Sequence, residues 1–143
     1  MEKVFEDEFS NIQMDMIAIC MEYIENKGDK IYIYASYENK CIACDFFYAI
    51  DGALYERHKL PSNYNTDSDR QMKCMEILTN DVEELIKICL SYNRDMPTEI
   101  KIIYDIRENK VNANYKYEIV YSNKGLFADR IVDDWFNEIN SSI

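Results

Sequence analysis

Apolar side chains in the first segment fall at Phe5, Phe9, Ile12, Met16, Cys20 and Ile24, steps of three or four that return to one side of a helix. Asn11, Asp15 and Glu22 occupy the opposite side, and Gly28 supplies a left-handed stop. From Lys30 the period shortens to two. Ile31, Ile33 and Ala35 alternate with Tyr32, Tyr34 and Ser36, and beyond Glu38-Asn39 the alternation resumes as Ile42, Cys44, Phe46 and Tyr48 against Cys41, Ala43, Asp45 and Phe47. The pattern predicts a hairpin. With Glu38-Asn39 as its two-residue loop, Ala35 opposes Ile42, Ile33 opposes Cys44 and Ile31 opposes Phe46, all on one apolar face. Asp51-Gly52 then turns the chain into Ala53 to Lys59, a shorter and more polar strand expected at an edge.

Leu60 to Asn65 reads as a connection, and Ser68 with Gln71 three residues later resembles a capping box. Met75, Leu78, Val82, Leu85, Ile86 and Cys89 trace a second helical stripe that must end before Pro97, with Glu83 and Lys87 as an exposed pair. A second hairpin follows, in which Ile100, Ile102, Tyr104 and Ile106 share a face with Val111, Ala113, Tyr115 and Tyr117 about a Glu108-Asn109 loop. After Lys124-Gly125, Phe127, Ile131, Trp135 and Ile139 recur at steps of four, joined by Ala128 and Val132, as in a terminal amphipathic helix. The order is α-β-β-β-α-β-β-α. It predicts a single α+β domain over residues 1–143, a mostly antiparallel sheet of about five strands with the helices packed on one face.

Composition narrows the chemistry. The 143 residues hold only 3 Gly and 2 Pro, too few for a many-stranded sandwich or a glycine-rich phosphate loop. Charged side chains sum to −11, with no basic cluster that would hold nucleic acid directly. The acidic start Met1 to Asp7 is no secretory signal, and no apolar run approaches the roughly 18 residues of a membrane span, so a soluble cytoplasmic protein is expected.

Cys41 and Cys44 have the spacing of a redox or metal pair, yet in a strand residues three apart point to opposite faces. A zinc site needs further ligands, and the remaining thiols, Cys20, Cys74 and Cys89, lie on helices; Cys20, Cys44 and Cys89 fit the core as small hydrophobes. His58, the single histidine, stands between Arg57 and Lys59 with no orienting partner or nucleophile set beside it, and reads as an exposed strand residue. No catalytic, cofactor or metal residue is therefore assigned, and an enzyme is not expected.

Twelve tyrosines point toward contact surfaces as well as core. Tyr104, Tyr115 and Tyr117 read as core, whereas Tyr32 and Tyr34, beside Asp45 on the other face of the first hairpin, are either contact residues or ordinary exposed strand positions. Acidic groups gather on the outer sides of helices: Asp81, Glu83 and Glu84 in the second, Asp129, Asp133, Asp134 and Glu138 in the last. For each of them solubility is the simplest reading, and steering of a basic partner by the group is the alternative.

Over roughly its first four-fifths, the chain resembles the YezG-like immunity proteins, cytoplasmic antitoxins against secreted polymorphic toxins. The resemblance rests on Lys30-Ile31-Tyr32-Ile33-Tyr34-Ala35-Ser36-Tyr37, the aromatic Phe46-Phe47-Tyr48, Leu60-Pro61-Ser62-Asn63-Tyr64-Asn65 ahead of the long helix, and Ile100 to Ile106 paired with Val111 to Glu118, ending Asn114-Tyr115-Lys116-Tyr117-Glu118. Pro97-Thr98 stands where members often carry a tryptophan, and Glu108-Asn109-Lys110-Val111 replaces their glycine-phenylalanine tip. The resemblance implies inhibition by binding, without a cofactor. The expected partner is a cognate toxin domain, a basic nuclease, met by Tyr32, Tyr34, Asp45, Glu83, Glu84, Asp133 and Asp134. An export chaperone or adaptor is the alternative.

Overall fold

A computed structural model describes residues 4–143, leaving Met1, Glu2 and Lys3 of the acidic start outside the described residues. The elements run α1 (Phe5–Tyr23), β1 (Lys30–Glu38), β2 (Cys41–Ile50), β3 (Ala53–Glu56), α2 (Ser68–Ser91), β4 (Glu99–Asp105), β5 (Lys110–Lys116) and α3 (Ala128–Ser141). Hydrogen bonding joins the strands into one antiparallel sheet in the order β3-β2-β1-β4-β5. This is the expected α+β architecture with the expected order. β1 is the middle strand.

Both hairpins keep their expected faces, but their turns sit elsewhere. Asn39 and Lys40 have φ of 51° and 61°, the left-handed pair that a type I′ turn needs. Glu38 therefore stays in the strand opposite Cys41, and Ile33 faces Phe46 where Cys44 was expected. A shift of two residues leaves every side chain on its own side of the sheet, since alternation has a period of two. The second loop is longer than expected: Asp105 already pairs with Lys110, Asn109 takes φ 53°, and Ile102 faces Ala113. β3 stops at Glu56, so His58 lies in the following turn and outside the strand.

Helix ends also differ in detail. Glu25 and Asn26 adopt positive φ, and the Asn26 N–H donates to the Met21 carbonyl at 2.9 Å, so α1 is closed before Gly28 is reached. Gly28 serves the tight passage into β1, at φ 102° with the Ala49 carbonyl close by. In α2 the expected capping box is absent. Asp67 is the N-cap, its carbonyl accepts from the Gln71 N–H, and the Gln71 side chain donates to the Thr66 carbonyl at 2.8 Å. The exposed pair on this helix is Glu84 with Lys87, in place of Glu83 with Lys87.

α1 and α2 cover one face of the sheet, burying Ile31, Ile33, Phe46, Tyr48, Ile100 and Ile102 beneath Met16, Cys20, Leu78 and Leu85. The third helix does not join them. α3 lies on the opposite face, where Val132 and Trp135 bury Tyr32, Tyr34, Phe47 and Ala49. An amphipathic stripe dictates that a helix must cover something and leaves open which side of a sheet it covers. Trp135 meets Phe47 at 5.1 Å and Tyr32 at 5.8 Å, both edge to face, a preferred geometry for rings.

Backbone and carboxylate ties hold α3 in place. The buried Glu38 carboxylate accepts from the N–H groups of Val120, Tyr121 and Ser122, which anchors the link between β5 and α3. Although burial works the other way, these bonds and one from the Ser122 side chain hold its pKa below the usual glutamate value. Replacing Trp135 by Ala should cost about 3–5 kcal/mol in urea unfolding followed by circular dichroism. Phe127→Ala, at the 76% exposed N-cap of the same helix, should change stability by less than about 0.5 kcal/mol. Equal effects of the two would refute the seating of α3.

Candidate functional site

Alternation along β2 points Asp45 and Phe47 to the α3 side, and the tight Asp51-Gly52 turn brings β3 back so that Glu56 pairs with Phe47. Past Glu56 the chain bends, with the Lys59 N–H donating to the Glu56 carbonyl at 2.9 Å. This bend returns Arg57 to Asp45, to which its Nη1 donates, and places the guanidinium 5.7 Å from the Phe46 ring. α3 closes the other side with Val132, Asp133 and Phe136. The result is a cleft of about 210 Å³ lined by Asp45, Glu56 and Asp133 together with Phe136 and the nearly buried Phe47, whose rings lie 5.1 Å apart.

Charge in the cleft is unbalanced. Arg57 pairs with Asp45, and Glu56 lies 3.2 Å from His58 Nε2 and 3.9 Å from Lys59 Nζ, while Asp133 forms no ion pair among the described residues. Burial raises the Asp45 pKa above the usual aspartate value, and Arg57 offsets part of that rise. The buried Arg57 Nε has no acceptor. Three carboxylates against the Arg57 guanidinium and the Lys59 ammonium leave a net negative pocket, with Phe136 as its half-buried ring, complementary to a cationic group.

Of the residues singled out in the sequence, Asp45 and Asp133 come together here, and Asp134 lies beside them on the outer side of α3, paired with Arg130 at 3.3 Å. Glu83 and Glu84 are exposed on α2, across the sheet, and share no surface with the cleft. Tyr32 and Tyr34 are corrected from contact residues to core: they are 3% and 0% exposed under α3, and the Tyr34 hydroxyl donates to the buried Glu99 carboxylate at 3.1 Å. Tyr115 and Tyr117 move the other way. They are 39% and 59% exposed.

The thiols sit as their strand and helix positions predict. Cys41 is exposed and Cys44 half-buried against the α1/α2 core, and all five cysteines are free. Burial pushes the Cys44 thiol up to about 12, with Asp45 and Asp81 adding to the rise, so at neutral pH it remains a thiol. Among the described residues no group of three or more His, Cys, Asp or Glu is arranged to hold a metal ion, and no helix is long and apolar enough to cross a membrane.

One titrating group escaped the sequence reading. Asp81, expected on the wet side of α2, is buried against α1 beside Asp15, and its Oδ2 has no hydrogen-bond partner. Its position three residues after Leu78 and four before Leu85 already placed it on the apolar stripe. Burial, then the hydrogen bond and charge of Asp15, raise its pKa from 3.8 to about 7. Compared with known proteins, the chain matches no family model and no curated protein.

A carboxyl whose folded pKa is raised binds its proton more tightly in the folded state, so stability falls as pH rises from the unfolded value toward the folded one. Between pH 4 and 7, Asp81 should therefore weaken the fold. Asp81→Asn should stabilise the protein by about 1 kcal/mol or more at pH 8, and have little effect below pH 4. Urea unfolding at both pH values measures this, and an equal effect at both would contradict it.

Proposed function

We propose that the protein is an immunity protein of the cytoplasm, which binds a cognate secreted toxin and neutralises it, and that the toxin is a basic nuclease domain. The observation that carries the reading is the cleft itself, where Asp45, Glu56 and Asp133 gather around Phe47 and Phe136 on an accessible edge of the sheet. A nuclease presents cationic side chains to its phosphate substrate, and a chain of net charge −11 is drawn to such a groove over long range. Once docked, carboxylates in a partly desolvated cleft pair with those side chains, and the half-buried Phe136 ring supplies apolar contact. The resemblance to YezG-like proteins supports the same reading.

The test looks in the neighbouring gene for a chain that ends in a toxin domain and pairs this protein with that domain. Cells producing that domain should survive when this protein is co-produced and die without it. In surface plasmon resonance, Glu56→Lys with Asp133→Lys should weaken binding at least about tenfold, largely through slower and less salt-dependent association. Phe136→Ala should cost about 2 kcal/mol through faster dissociation, and Glu83→Lys with Glu84→Lys on the far face should leave dissociation unchanged. Binding without protection would favour the chaperone or adaptor reading. Absence of both binding and protection would end the immunity reading.

A further inference from the structure

At the opposite edge of the sheet, the first turn of α1 meets the end of β5. Phe5 and Phe9 are one helical turn apart, with ring centroids 5.3 Å from each other, and Tyr115 of β5 approaches Phe9 edge-on at 5.9 Å. The buried Gln13 fixes the Tyr115 ring by donating from Nε2 to its hydroxyl at 2.6 Å. Together with Tyr117, just beyond the strand, these rings wall a groove of about 170 Å³ whose rim carries Glu6 and Asp95.

The molecule already places one guanidinium on this surface. Arg94 lies 4.5 Å from the Phe5 ring centroid and 3.6 Å from Glu6 Oε1, a cation stacked on an aromatic face with a carboxylate beside it. The other half of the groove repeats the surroundings with no cation among the described residues: Tyr115 and Tyr117 present exposed rings, and Asp95 forms no ion pair among them. From this repetition we infer that the groove is a docking point for an arginine side chain, carried on an extended segment of a protein partner.

Three features select that occupant. A planar guanidinium stacks on a ring and pairs with a carboxylate at once, which a compact ammonium does less well. β5 is the outermost strand on this side and is exposed along nearly its whole length, so an extended chain can run beside it and lower a side chain into the groove. A second copy of this chain is disfavoured, since it would bring −11 against −11. The inference does not rest on the proposed toxin binding, because the cleft under α3 lies at the β3 edge and this groove at the β5 edge.

The probe is the capped tripeptide acetyl-valyl-arginyl-valine amide, compared with its citrulline counterpart, which keeps the shape and loses the charge. Titrated into the full chain and followed by the aromatic carbon-proton NMR signals, the arginine peptide should give saturable shifts at Phe9, Tyr115 and Tyr117. The citrulline peptide should bind at least about fivefold more weakly. Asp95→Asn and Tyr117→Ala, both at exposed positions, should each weaken the arginine peptide about threefold or more while leaving the amide spectrum folded. Equal affinity for the two peptides, shifts confined to the α3 cleft, no saturable shift at all, or unchanged affinity in both variants would each overturn the inference.

Discussion

Burial of β1 on both faces sets the terms for the whole molecule. Ile31, Ile33 and Ala35 are covered by α1 and α2, and Tyr32 and Tyr34 by α3, so the middle strand is closed to water on either side. A strand in that position needs neighbours on both edges to satisfy its backbone, and β2 and β4 supply them. It also needs a helical layer on both sides. Each fully buried aromatic or aliphatic side chain contributes about 1.5–3 kcal/mol, and β1 and its neighbour β2 hold most of those in the sheet.

Polar groups decide how firmly each layer is held, and two buried carboxyls act in opposite senses. Glu38 receives three backbone N–H groups and ties the approach to α3, so its charge stabilises the fold above the usual glutamate pKa and that contribution fades in acid. Asp81 has one oxygen without a donor and a second carboxyl beside it, so its charge works against the packing of α1 on α2. At the border of the α3 layer, Glu99 binds the Tyr34 hydroxyl with Lys101 and Lys116 just under 4 Å away, and Ser36 meets Tyr121 at 2.8 Å. These groups let Tyr34 and Tyr121 stay buried without stranding a hydroxyl.

Most of the fold was legible because alternation tolerates error. Shifting the first hairpin by two residues changed every cross-strand partner and moved no side chain to the wrong face. The turn itself was misplaced because the demand for positive φ falls on Asn39 and Lys40, and Glu38 is poorly suited to it. The position of α3 had a signal that went unused. From Ile31 to Ala35 neither alternating set carries a charged side chain, as expected of a strand covered twice, and tyrosine read as half wet concealed it. The site was harder to read. Asp45 and Asp133 lie far apart in sequence and meet only because α3 packs on the unexpected face, while Arg57 and His58 reach the cleft through a bend after β3 that has no periodic signature.

The chain has a single tryptophan, and it is the residue that seats α3. Trp135 is 5% exposed, between Phe47 and Tyr32, with the Lys101 ammonium 5.2 Å from its ring. Its fluorescence is therefore an optical reporter of one layer alone: water reaching the indole shifts the emission to the red when α3 lifts, while α1 and α2 hold no indole and remain silent. Local opening on the cleft side and melting of the main core are thereby separable in the unmodified protein, by colour in one case and by loss of helical ellipticity in the other.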